Sequence, residues 1–416
     1  MRVTLNDTGR PWVELESEML AWRGGDVAWR DGRAAVYVFN SGDDVMQVAH
    51  DAYGHFIAEN GLGPAAFPSL KRMEREVVEM AMGLQHVPEE GAGSMTSGGS
   101  ESIFLAVKAC RDWSRSHMPV TGVPQIVVPY SAHPAFDKAA HLLGLQVVRV
   151  PLSDGYLADV SAMAEAVSKR TIMIVGSAPC FPYGVIDPIA ALSTLAQERG
   201  LWLHVDACVG GYLNPFVAAL GVELSEYDFR LPGVMSMSAD LHKYGYAAKG
   251  ASTVLYRHKS HREAQVFHFD DWPCGHMYTP TLAGTRPGGA IAAAWAVLNY
   301  LGWEGYTAKA ARIMAARERL LAGLAELHLR VFGDPQLSIV AFGAGPEEDL
   351  DILAVGEGLY RDGWFSSRVR NPDGVQVMIS PEHDRFMDQY LDTLGHWVER
   401  GRRGELGKGS KDVSYS

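Results

Sequence analysis

The sequence is short of cysteine, of positive charge and of long apolar runs, and each shortage removes a class of function. Its 416 residues include only four cysteines, Cys110, Cys180, Cys208 and Cys274. None is spaced as in a zinc site or a redox pair, so no metal is expected and the thiols are read as reduced. The 49 acidic against 37 basic residues leave a formal net charge of -12, which argues against nucleic acid or an anionic membrane as the main partner. No stretch approaches the roughly 20 apolar residues that span a bilayer, and the longest, 290–301, suits a packed helix. No basic segment followed by an apolar one stands at the N-terminus, so a cytoplasmic location is expected. What is there, with 47% hydrophobic and 10% aromatic residues, suffices for a large core in two or three domains.

One stretch organises the rest: Ser238-Ala-Asp-Leu-His242-Lys243-Tyr-Gly-Tyr-Ala-Ala-Lys-Gly250. It follows an apolar run over 234–237 and is rich in small residues, so Lys243 is expected at the end of a buried strand. Burial disfavours an ammonium, which would make this lysine a nucleophile near neutral pH toward an aldehyde such as pyridoxal phosphate. A His-Lys dipeptide without any such role is the competing reading.

In chain order, residues 1–40 carry Trp12, Trp22, Trp29, Tyr37 and Phe39 without sustained periodicity and read as an arm lying on another surface. Helical spacing marks 43–59 and 69–84, the second with Ser69 as N-cap. The run Gly91-Ala-Gly-Ser-Met-Thr-Ser-Gly98-Gly99-Ser100-Glu101-Ser102 opens a helix over 103–113. Such a turn presents N–H groups and the positive helix end to an anion, or is a flexible loop with Ser100 as a plain cap. Strands are expected over 125–129, 147–150, 171–176, 202–206, 234–238 and 252–256, alternating with helices as in a doubly wound sheet. His133, just past the first of these, faces the crevice where such sheets bind ligands, either to stack on a flat cofactor or to cap a helix. Asp206 ends an apolar strand, where a carboxylate either holds a pyridine nitrogen protonated or caps the next helix.

Thr96-Ser-Gly-Gly-Ser-Glu-Ser102, Ala132-His-Pro-Ala-Phe-Asp-Lys-Ala139, Phe181-Pro-Tyr-Gly-Val-Ile-Asp-Pro188, His204-Val-Asp-Ala-Cys208, Ser238-Ala-Asp-Leu-His-Lys-Tyr-Gly-Tyr246 and Gly284-Thr-Arg-Pro-Gly-Gly289 together resemble the sphingosine-1-phosphate lyase family. That family is related to the group II amino-acid decarboxylases, and the likeness runs from about residue 33 to 394. The resemblance implies an α/β protein of PLP-dependent fold type I, aspartate aminotransferase-like, with a mostly parallel seven-stranded sheet and a small C-terminal α+β domain. It implies pyridoxal 5'-phosphate bonded to Lys243, Asp206 at the ring nitrogen, and His133 and Ala207 on the two faces of the ring. Gly99, Ser100, Ser238 and His242 would hold the cofactor phosphate. Gly288 would reach it from the partner subunit of a homodimer. The implied reaction is retro-aldol cleavage of an amine substrate at Cα, with amino-acid decarboxylation as the alternative. A non-catalytic cofactor-binding protein would be marked by loss of Lys243 or Asp206, and both are present.

The departures fall on the substrate side. Where the family has Asn-Pro-Leu-His-Pro-Asp this chain has Asn60-Gly-Leu-Gly63-Pro-Ala65, and where the family has Ser-Gly-Ala-Val-Tyr it has Arg33-Ala-Ala-Val-Tyr37. Tyr37, Asn60, Arg368 and Arg370 are therefore the candidate substrate contacts. The arginines lie in Trp364-Phe-Ser-Ser-Arg368-Val-Arg370, which either binds an acidic substrate group or is a solvated loop. A helix is expected over 312–329 and strands over 330–342 and 375–379. The expected organisation is an arm and helix over 1–68, a cofactor-binding domain over 69–310, a small domain over 311–400 and a disordered tail over 401–416.

Overall fold

In the computed structural model, which describes residues 2–410, the apolar runs of the middle of the chain lie side by side in one sheet. Its strands are β1 Ala92–Thr96, β2 Gln125–Pro129, β3 Gln146–Val150, β4 Thr171–Ser177, β5 Trp202–Asp206, β6 Val234–Ala239 and β7 Ser252–Tyr256, in the order β1-β7-β6-β5-β4-β2-β3. All neighbours are parallel except β7, which runs antiparallel to both β1 and β6. Every residue of β2, β4, β5 and β7 is buried. That is why these strands read as continuous apolar runs rather than alternating ones. Parallel pairing brings the C-terminal ends of β2, β4, β5 and β6 to one edge of the sheet, where open α/β sheets bind ligands.

β1 was hidden within the glycine-rich run, because an edge strand of Ala-Gly-Ser-Met-Thr carries little apolar signal. After a short exposed hairpin, β8 Phe267–Phe269 and β9 Met277–Thr279, a helix over Gly288–Glu326 continues past the boundary expected near residue 310. It bends at Gly302, whose φ of 54° and ψ of -169° are not helical. Gly302 separates two helices within this span, and the expected helices 290–301 and 312–329 fall one on each side of it. A second, antiparallel sheet follows, β10 Arg330–Val331, β11 Ile339–Gly343, β12 Ser367–Val369 and β13 Gly374–Met378, in the order β10-β11-β13-β12. Its edge strand β12 takes up part of the segment for which a solvated loop was the alternative reading.

The N-terminal segment joins this second sheet: Ala35 N–H donates to Phe365 O at 2.8 Å and Met378 N–H to Ala35 O at 2.7 Å. The helix Trp12–Arg23 before it buries no residue. The helix expected from Ser69 starts one residue earlier, at Pro68, with Phe67 in the cap position and no side-chain cap, so Ser69 is not its N-cap. Residues 403–410, expected to belong to a tail, run beside the helix Ile352–Arg361, with Gly409 N–H on Asp351 Oδ2 at 2.9 Å and Ser410 N–H on Glu357 Oε1 at 2.7 Å. The remainder of that tail, 411–416, lies outside the described residues.

Candidate active site

β6 ends at Ala239, and the chain turns sharply through Asp240-Leu-His-Lys243. A Cβ on Gly245 would stand 2.4 Å from Leu241 O, so the turn closes only around glycine. Lys243 Nζ lies 3.1 Å from Asp240 Oδ2, and His242 Nε2 lies 3.7 Å from the same oxygen. Burial alone would lower the Lys243 ammonium, as expected from the sequence, but the carboxylate of Asp240, followed by Cys208 and then Asp206, outweighs it and holds the group above its ordinary value. The sequence reading therefore had the sign wrong for the cofactor-free chain, because Asp240 was not recognised as the lysine's counter-ion. Burial likewise pushes Asp240 up, yet Lys243 and His242 hold its carboxyl below the usual value.

Facing this pair is the start of the helix Gly99–His117, whose cap position is Gly98 with no side-chain cap. Ser100 does not cap the helix. The turn before it is pinned rather than flexible: Glu101 Oε2 accepts Ser97 N–H at 2.7 Å and the Ser97 hydroxyl at 2.6 Å, and Ser102 Oγ links Thr96 at 2.7 Å to Ser252 at 2.9 Å. A Cβ on Gly99 would fall 2.7 Å from Cys208 Sγ and 2.8 Å from Asp240 Oδ2, and one on Gly98 3.3 Å from His242 Cε1. The absent side chains let the first N–H groups of the helix come close to Cys208, Asp240 and His242, and N–H groups at a helix start suit an anion.

Asp206 is buried at the end of β5, in register with Ser177 on one side and Ser238 on the other. Its Oδ1 accepts Cys208 N–H at 3.1 Å and the Ser238 hydroxyl at 3.3 Å. Ser238, expected at the phosphate, is thus turned toward Asp206 and His204. Ala207 is buried beside them.

The loop after β2 carries His133, whose Nδ1 accepts Ala135 N–H at 3.1 Å at the start of the helix Ala135–Leu143. Its capping and ligand-facing readings hold together, because the ring also lines a cavity. Burial lowers its pKa, against Asp206, so the ring is held neutral. Arg149, on β3, fixes this loop by donating to Pro129 O at 3.3 Å, Tyr130 O at 3.0 Å and Ala132 O at 3.1 Å while pairing with Asp137.

The cavity, of about 560 Å³, brings together Tyr37, Tyr130, His133, Tyr183, Arg368 and Arg370. Tyr37 sits at φ 67°, a left-handed conformation unusual for a bulky residue, and its carbonyl accepts Lys249 Nζ at 3.1 Å, as does that of His242 at 3.2 Å. Arg368 is partly tied by Glu357 at 3.9 Å and Ser410 O at 3.4 Å. Asn60 does not join these residues. It bridges Pro287, Gly288 N–H donates to Glu59 O at 2.9 Å, and Asn60 lines a separate cavity with Arg286. Gly288 is glycine here because a Cβ would lie 2.6 Å from that same Glu59 carbonyl. Sequence reading missed Asp240, Lys249 and Arg149. The first two stood in the Lys243 stretch as ionisable neighbours, whereas nothing in the sequence marked Arg149.

Residues 27–344 match the pyridoxal-dependent decarboxylase conserved domain. The chain belongs to the pyridoxal-dependent decarboxylase family. Within that family it is 40% identical over 384 residues to sphingosine-1-phosphate lyase 1 of Mus musculus, covering 92% of this chain and 67% of that one. It is 34% identical over 351 residues to a probable L-tyrosine/L-aspartate decarboxylase of Methanothermobacter thermautotrophicus, covering 83% of this chain and 92% of that one. A solved sphingosine-1-phosphate lyase of Burkholderia pseudomallei superimposes with a TM-score of 0.93 at 35% identity, covering 97% and 94% of the two chains. This family member is a pyridoxal-phosphate-dependent lyase. The residues present fit its cofactor: a lysine for the aldehyde, N–H groups of a glycine-led helix start for the phosphate and a buried carboxylate for the ring nitrogen.

Proposed function

We propose that the chain breaks the Cα–Cβ bond of a phosphorylated amino alcohol in the retro-aldol sense, releasing an aldehyde and an amine. When bound, the cofactor supplies an electron sink for negative charge at the substrate's Cα. Lys243 holds its aldehyde, Asp206 keeps its ring nitrogen protonated, and His133 and Ala207 flank its ring. Gly99, Ser100 and His242 hold its phosphate, whereas Ser238 serves Asp206 instead.

The observation that carries the reading is the cavity in which Tyr37 and His133 meet Arg368 and Arg370. Two guanidinium groups in the cavity that His133 lines would anchor an acidic group of the substrate and so fix how it lies in the site. Names of the relatives favour a phosphate as that group. The decarboxylase relative, matched over most of its length, supports a second reading in which the same arginines take a carboxylate and carbon dioxide leaves. Incubation with sphingosine-1-phosphate, tyrosine and aspartate, with aldehyde and carbon dioxide both quantified, separates the two. Aldehyde equal to substrate consumed supports the lyase, and carbon dioxide without aldehyde moves the assignment to decarboxylase.

The active unit we propose is a homodimer in the cytoplasm. Asn60 and Gly288 lie together, apart from the cavity lined by His133 and Arg368, which suits residues that complete the partner's site. Among the described residues no helix is long and apolar enough to cross a membrane. Light scattering at micromolar concentration tests the dimer, and a monomer with full activity refutes it.

A further inference from the structure

Side chains alternate across a strand, so Trp202, His204 and Asp206 share one face of β5. The neighbouring strand sets Ser236 opposite His204 and Ser238 opposite Asp206. The five groups form one buried line: Trp202 Nε1 to Ser236 Oγ at 2.7 Å, Ser236 Oγ to His204 Nδ1 at 2.8 Å, His204 Nε2 to Ser238 Oγ at 3.2 Å, and Ser238 Oγ to Asp206 Oδ1 at 3.3 Å.

The chemistry of the ends fixes the direction of the protons. An indole N–H can only donate and an ionised carboxylate can only accept, while each serine has one proton to give. If His204 carried its proton on Nδ1, Ser238 would donate to Nε2 and turn a lone pair toward the Asp206 carboxylate. The Ser236 hydroxyl would then have no acceptor within the line. Only the opposite arrangement satisfies every contact.

We infer that Ser238 and His204 are positioning residues for Asp206. They form a one-way series of donors from Trp202 through Ser236, His204 Nε2–H and the Ser238 hydroxyl to the carboxylate. The series fixes the orientation of Asp206 and supports its negative charge in a site that excludes water. Burial keeps His204 neutral, with a pKa near 4, as this arrangement requires. The inference rests on the reading of Asp206 as the partner of the cofactor's ring nitrogen.

The test combines histidine ¹⁵N NMR of the apoenzyme, assigned with His204→Gln, and titration of cofactor binding by protein fluorescence. The expected result is the Nε2–H tautomer for His204 between pH 6 and 8. Ser238→Ala is expected to weaken cofactor binding about tenfold or more, the effect of a lost hydrogen bond to a charged group, with Ser238→Thr within about threefold of the unmodified protein. Ser236→Ala, which does not touch Asp206, is expected to shift the tautomer and weaken binding several-fold. A protonated Nδ1 in the unmodified apoenzyme overturns the proposal, as does a Ser238→Ala protein that binds the cofactor normally. Asp206→Asn with unchanged cofactor affinity and visible spectrum overturns the ring-nitrogen reading instead, which the tautomer measurement does not depend on.

Discussion

Asp240 and Lys243 form a buried ion pair at the centre of the site, and removing both members should cost less than the sum of removing each alone. At 3.1 Å two unit charges attract by about 5 kcal/mol at an effective dielectric constant of about 20. Loss of one member of a buried pair typically costs about 3 to 5 kcal/mol, because the survivor is left uncompensated. Lys243 retains 21% of its side-chain exposure, so the lower end, about 3 kcal/mol, is expected for Asp240→Asn. Lys243→Met should cost a similar amount by stranding Asp240. The double variant should fall short of the sum by about 2 kcal/mol or more, measured by urea unfolding of the apoenzyme. The pH window follows from the two shifts. Asp240, held low, contributes stability above its unfolded value and loses it as pH falls through the lower folded value. Lys243, held high, contributes below its unfolded value and loses it as pH rises through the higher folded value. The coupling should therefore be flat from about pH 5 to about pH 9. Additivity within about 0.5 kcal/mol at pH 7 would falsify the pairing.

Lys243→Ala should give a protein without the visible absorption of the lysine-bound cofactor and without turnover; retained absorbance would place the cofactor on another lysine. Gly99→Ala puts a methyl group within 3 Å of Cys208 and Asp240, so cofactor affinity should drop at least about tenfold in a fluorescence titration, and unchanged affinity would rule out this helix start as the phosphate site. Arg149→Met releases the carbonyls that hold the His133 loop. It should lower kcat/KM about tenfold or more while cofactor content stays full, and wild-type kinetics would remove Arg149 from the positioning of His133.

The buried parallel strands were legible because burial on both faces writes itself as an apolar run, and the limits of β2, β5 and β7 match the expected ones. The places of Asp206 and Lys243 were legible for the same reason, since they interrupt or follow such runs. β1 was not, since Gly93 and Ser94 carry no periodic signal and its place is set by partners about 160 residues away. Asn60 was grouped with Tyr37 and Arg368 because all three sit where the family's substrate side was expected. Its hydrogen-bonded neighbourhood, at Arg286 and Pro287, is a property of chain crossing rather than of local sequence. The sign of the Lys243 shift failed for a related reason. Burial can be read from composition, but whether a counter-ion three residues away actually meets the ammonium depends on the turn between them.

The reversed strand β7 has a consequence for how the protein is made. β1 pairs with β7 and with no other strand, so during synthesis the segment over 92–96 must wait for the ribosome to deliver residue 256 before it finds its place. Until then the glycine-led helix start that follows β1 has no His242 turn opposite it. On the proposed reading of that helix start as the phosphate site, cofactor capture is expected late in the life of the nascent chain. A truncated product ending before β7 should be invisible to the cofactor and open to proteolysis, which makes loading a built-in signal that translation has passed the sheet.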